Sequence, residues 1–206
     1  MPTLKRTDVI ISLVIGEVAA LLMFAVGRNL DLPSGFARLL PWLPFTFPLF
    51  TLAVISGGAW LGQYRFGFYQ LAKFGLVGGL NFLIDLGALN LLLAVAGVTV
   101  GFYAVASKAA AFLAALASSF LWNKFWTFRS LSTTDIGPQF AGFFAVTIGG
   151  LIINVGVFAF LSGTVGPRGG IDARTWANVS AAGAAVVGLA WNFLGYKMVV
   201  FRKGQK

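Results

Sequence analysis

Three charged side chains interrupt otherwise apolar stretches of this chain: Glu17, Asp85 and Lys108. Asn81 stands four residues before Asp85 and Gly78 seven before it, so all three share one face of a helix. A carboxylate beside an amide can hold a proton, tie two helices together or bind a polar ligand, and Lys108 supplies the opposite charge. A second set of polar residues closes two later stretches: Asn123, Lys124, Trp126 and Arg129 in one, Asn192, Lys197 and Arg202 in the other, with Lys73 ahead of both. Cationic groups flanked by aromatic rings can grip a phosphate. The chain has no His and no Cys, which removes imidazole acid–base chemistry, thiol catalysis, disulfides and Cys/His zinc sites. A phosphate loop would need Gly-Lys-Ser/Thr after a strand, and that pattern is absent. With no catalytic dyad or nucleophile elbow either, we expect no catalytic residue, no metal, no cofactor and no enzymatic activity.

The elements that position these residues must lie in lipid. Of 206 residues, 58% are apolar and 10% charged, with mean hydropathy +0.87, whereas an average soluble domain carries roughly 25% charged residues. A domain this small shows most of its periphery, so a soluble enzyme is excluded. A helix needs roughly 20 mostly apolar residues to cross about 30 Å of hydrocarbon. About six such stretches are present: 9–27, 45–63, 74–97, 102–123, 139–162 and 176–199. The first is long, contains Glu17 and is followed by no clear small-x-small cleavage pattern, so it is expected to be retained. Pro41, Pro44 and Pro48 crowd the start of the second, which is expected to be shorter or partly interfacial.

Basic residues outside the spans set the orientation. On one side fall Lys5, Arg6, Arg65, Lys73, Lys124, Arg129, Arg202, Lys203 and Lys206, and on the other Arg28, Arg38, Arg168 and Arg174. The richer side is expected to be cytoplasmic, which puts both termini inside. Trp60, Tyr64, Trp122, Trp126 and Tyr196 fall at the same inner boundary, where amphipathic rings prefer the headgroup level. The net charge of +9 points to anionic lipid rather than nucleic acid.

Residues 107–129 align without a gap to 180–202, matching Ser107 with Ser180, Phe120 with Phe193, Leu121 with Leu194, Lys124 with Lys197, Phe128 with Phe201 and Arg129 with Arg202. The third and fourth stretches are thus repeated as the fifth and sixth. Two crossings per copy give both copies one orientation, a parallel repeat. The expected fold is an all-α integral membrane protein of about six transmembrane helices, the last four forming two parallel two-helix repeats.

At three places the sequence resembles the GtrA-like family of membrane proteins, together covering residues 73–202. KFGLVGGLNFLIDLGALNLLL (73–93) looks like the family's first helix, SSFLWNKFWTFR (118–129) like the end of its second, and WNFLGYKMVVFR (191–202) like the same ending in its fourth. Ser119 stands where the family usually has Asn, and Lys124 where it usually has Arg. The resemblance divides the chain into an N-terminal extension with two membrane helices (1–72) and a four-helix GtrA-like domain (73–206). It implies a multi-pass inner-membrane protein that translocates polyprenyl-phosphate-linked sugars for cell-surface polysaccharide modification. The alternative it admits is a non-transporting scaffold that anchors or assists a polyprenyl-phosphate glycosyltransferase. Implied partners are polyprenyl phosphate or its sugar-linked form, membrane lipid, a membrane glycosyltransferase and a further copy of the chain.

Each polar residue has two readings. Asp85 with Asn81 is an interhelical clamp or a substrate or proton site. Lys108, whose repeat counterpart is Ala181, either reaches Asp85 across a tight hairpin at loop 98–101 or snorkels to the outer interface. Glu17 is a coupling or packing residue. Lys73, Asn123, Lys124, Trp126, Arg129, Lys197 and Arg202 are topology-setting charge or a lipid-phosphate cradle. Gly78, Gly79, Gly149, Gly150, Gly183, Gly188 and Gly195 permit close helix approach, and Asn154 and Asn192 are expected to bond between helices.

The charge count makes one prediction. A reporter active only outside the cytoplasm, fused after Lys206, should give no signal in cells, and a strong signal would overturn the orientation.

Overall fold

Backbone amides in hydrocarbon have no water to bond, which leaves the helix as the form that satisfies them within one segment. The computed structural model describes residues 4–28, 34–97, 102–167, 170 and 173–202, and no strand occurs among them. Loop 98–101, the charges Arg168, Lys203 and Lys206, and the side chains of Arg174 and Ala181 lie outside the described residues. Six helices are long and apolar enough to cross a membrane: α1 (Arg6–Gly27), α2 (Leu43–Gly62), α3 (Phe66–Ala96), α4 (Phe102–Trp122), α5 (Ile136–Ala159) and α6 (Ala173–Gly195). The protein is an all-α, multi-pass membrane protein.

The boundaries differ from expectation where local chemistry overrides hydropathy. With the turn that precedes it, α2 runs 23 residues from Leu40 to Gly62, a full span rather than a shortened one. Pro41 and Pro44 sit in first turns, where a missing N–H leaves no bond unmade, and Pro48 alone lies in the helix interior. Helix α3 begins at Phe66, eight residues before the expected start, and runs 31 residues. At 1.5 Å per residue that is about 46 Å, well beyond the hydrocarbon thickness, so its first turns can reach the headgroup level. Lys73 therefore belongs to a helix and not to a loop. The helix ends at Gly97, whose φ of 66° suits glycine and whose N–H donates to the Leu93 carbonyl at 3.0 Å.

Three of the helices close in π turns: Asn123–Thr127 after α4, Phe160–Val165 after α5 and Tyr196–Val200 after α6. The first and last are separated by the same offset as the sequence repeat. After the first, Arg129 takes a left-handed backbone, φ 51°, that residues with a Cβ adopt only where the surroundings impose it.

The helices form two compact units, residues 1–127 and 128–206. In the first, α3 packs against α1, α2 and α4, and α1 lies along α2. Its core holds Ile15, Ile55, Ala59, Tyr69, Leu76, Val77, Leu80 and Trp126. Small residues set the spacing: a Cβ on Gly16 would fall 2.6 Å from the Pro48 Cα, so α1 touches α2 at the turn that carries the interior proline. There Thr51 Oγ1 donates to the Ser12 carbonyl at 2.7 Å. In the second unit α5 and α6 run antiparallel, with Asn192 seated on Gly150, Gly188 on Asn154, and Gly195 on Val146. Trp191 Nε1 donates to the Val146 carbonyl at 3.0 Å, and Thr147 and Tyr196 share a 2.7 Å hydrogen bond between hydroxyls.

Helix contact at Gly16 can be tested against an open glycine. A methyl group added to Gly57 in α2 would meet no atom within 4 Å, whereas one added to Gly16 would run into backbone. Gly57→Ala should be neutral or stabilise by up to about 1 kcal/mol through helix propensity. Gly16→Ala should destabilise by about 1–3 kcal/mol through overpacking, measured as the melting temperature of the detergent-solubilised protein.

Candidate functional site

The best-defined polar cluster lies at the start of α1. Asp8, in the first turn of that helix, sits where the helix dipole favours an anion. Its carboxylate accepts hydrogen bonds from Lys73 Nζ at 2.7 Å and Trp126 Nε1 at 2.9 Å on Oδ1, and from the Tyr69 hydroxyl at 2.6 Å on Oδ2. The Lys73 ammonium also lies 4.5 Å from the Tyr69 ring centre and 5.2 Å from that of Trp126, so two aromatic faces and a carboxylate surround it. All four side chains are buried, with Asp8 and Lys73 at 1% and 2% exposure. Tyr69 and Lys73 come one turn apart on α3, and Trp126 reaches them because the π turn after α4 brings its ring back over that face.

Around this cluster lie further buried polar groups of the same unit. Asn123 donates to the Ser119 carbonyl at 2.9 Å, and its Oδ1 has no donor among the described residues; nor do Thr127 Oγ1 and Gln70 Oε1. Lys124 is fully buried, its ammonium 5.5 Å from the Phe125 ring centre.

Asp85 and Lys108 form the second constellation, 12 residues further along α3 and so about 18 Å from Lys73 along the axis. Lys108 Nζ donates to Asp85 Oδ2, the pairing that the sequence offered as one of two readings. The pair is not enclosed within its unit, since Lys108 is 53% exposed and Asp85 22%. Asp85 Oδ1 is nevertheless covered and has no donor among the described residues. Asn81, one turn earlier, donates to the Val77 carbonyl at 2.7 Å and likewise leaves its Oδ1 without a donor. Glu17 is half-buried on α1.

In the second unit the rings of Phe128 and Phe201 stack at 5.3 Å, which holds the following residues, Arg129 and Arg202, at one end with both side chains exposed. Lys197 is half-buried beneath the Phe193 ring, 5.6 Å from its centre. Asn192 packs on Gly150, and its Oδ1 has no donor among the described residues.

The structure thus brings Lys73 and Trp126 together, joins Asp85 to Lys108, and stacks Phe128 on Phe201, the residues that precede Arg129 and Arg202. Sequence reasoning missed Asp8 and Tyr69. The available signal was an acid two residues after the Lys5-Arg6 pair, in a stretch otherwise reserved for positive charge.

Six long apolar helices with ionisable groups set along them define a polytopic helical membrane protein. Residues 73–201 match the family model described as "GtrA/DPMS, transmembrane domain", and the chain belongs to that family. Neither a curated protein nor a solved structure matches the chain. Lys73 opens the matched region, and Asp8 and Tyr69 lie ahead of it.

The Asp8 cluster yields a stability prediction. Asp8→Asn alone or Lys73→Met alone strands a buried charge and should cost about 3–5 kcal/mol, while the double substitution should recover most of that loss. Melting of the three variants in detergent checks it; additive losses would show that the charges do not depend on each other.

Proposed function

We propose that the protein moves polyprenyl-phosphate-linked sugars across the inner membrane, with both termini in the cytoplasm and without catalysing a covalent step. Family membership supports a role in handling lipid-linked sugars. The observation that carries translocation is the Asp85–Lys108 pair: it sits in two apolar helices of the matched region, open on the outside of its unit, beside two acceptor oxygens that lack donors. A helix that only anchored a transferase would gain nothing from charge at that depth. A sugar bears hydroxyl donors for such oxygens, and its lipid bears the phosphate that an ammonium recognises. Arg129 and Arg202, both exposed, with the half-buried Lys197, then serve phosphate groups at the inner headgroup level, whereas Asn123 and Lys124, which the sequence offers for the same role, are buried within the first unit.

Purified protein reconstituted alone in liposomes with a labelled polyprenyl-phosphate sugar should move the label between leaflets. Asp85→Asn/Lys108→Met should fold, because no lone charge remains, yet transport should fall roughly 10- to 100-fold, the worth of one charge-assisted hydrogen bond. Full transport in the double variant would reduce the pair to a structural tie. No movement by the intact protein, together with binding to a glycosyltransferase, would favour the scaffold.

A further inference from the structure

Glu17 is an ionisable side chain that neither charged pair uses. It lies eleven residues after the start of α1 and ten before its end, about 15–17 Å from either along the axis. Two contacts fix its depth against α3. Asp8 pairs with Lys73, and a Cβ on Gly87 would meet the Leu22 side chain at 2.9 Å; the partners are 65 residues apart in both cases. Helices α1 and α3 therefore run parallel in one register, and Glu17 lies level with Phe82, between Asn81 and Asp85. Its direction follows from the same contacts. At about 100° per residue, Glu17 points roughly 140–180° away from Asp8 and Leu22, which meet α3, and about 100° from Gly16, which meets α2. Ile10, Val14 and Leu21, which share its side of the helix, are exposed, and Glu17 is half-buried among them. No hydrogen bond or ion pair reaches its carboxylate among the described residues.

Ile, Val and Leu on that side suit lipid, but a carboxylate at mid-span does not. It calls for a positive charge at the same depth, and the spans of this chain have none to spare. Helices α2 and α5 carry no Lys or Arg, and those of α1, α3, α4 and α6 are Arg6, Lys73, Lys108 and Arg174. Arg6 and Arg174 lie in first turns, Lys73 is held by Asp8 and Lys108 by Asp85. A second copy packed symmetrically through this side would share the orientation and set Glu17 against Glu17, like charge on like. We infer that the outward side of α1 is a docking surface for a membrane helix of another protein, one that bears a Lys or Arg at mid-depth. Ile10, Val14, Glu17, Leu21 and Phe24 follow one another at intervals of four and three residues, the spacing by which one helix packs along another at a shallow angle. Apolar contact then runs the length of the seam, and its one charged group, at the centre, selects this partner over lipid or an uncharged helix. The surface lies ahead of the region that the family model matches.

Energy transfer in liposomes between the labelled full chain and labelled synthetic helices tests the surface. Each helix is a run of about 20 Leu and Ala residues with Lys, Leu or Glu at its centre. The Lys helix should associate at least about tenfold more tightly than the Leu helix, the worth of one charge-assisted hydrogen bond, and the Glu helix no better than the Leu helix. Glu17→Leu should keep the fold, because the side chain has no partner to lose, and should bring the Lys helix down to the level of the Leu helix. Glu17→Lys should reverse the preference in favour of the Glu helix. Equal association of the Lys and Leu helices with the unaltered protein overturns the proposal, and that comparison needs no variant to fold. A preference for Lys that survives Glu17→Leu overturns it too. So does Glu17-dependent energy transfer between differently labelled copies of the unaltered protein, since self-association would then cover this side. No lipid-linked sugar is present, so the result is independent of the translocation test.

Discussion

An ionised group inside a membrane-spanning helix is tolerated when an opposite charge and hydrogen bonds replace its water, and helix α3 is where this protein meets that constraint twice. Lys73 near its start is neutralised by Asp8 of α1, and Asp85 near its middle is neutralised by Lys108 of α4. The two pairs tie α3 to the helices on either side of it. They differ in kind, however. The first is enclosed by aromatic rings and bonded on both carboxylate oxygens, which suits a fastening. The second is half open and has an oxygen unserved, which suits a group that exchanges partners.

Apolar contact alone would not hold these helices in one register, because lipid tails are as apolar as leucine. Close approach does. Gly16 lets α1 settle on the proline-interrupted turn of α2, and Gly58 lies against Ala72 of α3. In the second unit Gly150, Gly188 and Gly195 play the same part along α5 and α6, with Asn192, Asn154 and Val146 occupying the space a side chain would take. The stacked rings of Phe143 and Tyr196, 4.1 Å between centres, close the end of that pair.

The π turns connect packing to the sites. A π turn inserts an extra residue into the helical ladder and rotates everything after it. At Asn123–Thr127 this swings Trp126 onto Lys73 while Lys124 becomes fully buried, and at Tyr196–Val200 it buries Tyr196 beneath Phe143. The left-handed backbone of Arg129 completes the first of these turns and leaves its side chain exposed.

Composition and run length by themselves determined that the chain is helical, crosses the membrane about six times and belongs to lipid, because hydrocarbon thickness sets how many apolar residues a span requires. The spacing of Asn81 and Asp85 likewise made their shared face legible, since residues a turn apart on one helix point the same way, and it offered Lys108 of the next helix as a partner without excluding that it snorkels. Only the tertiary structure decided that α3 starts at Phe66, that Pro48 lies inside a full-length span, and that Asp8 belongs to Lys73. Hydropathy ends a span at a charge because it scores each residue as though alone. Asp8 and Lys73 are 65 residues apart, and the pair that carries both into the protein forms only when α1 lies on α3.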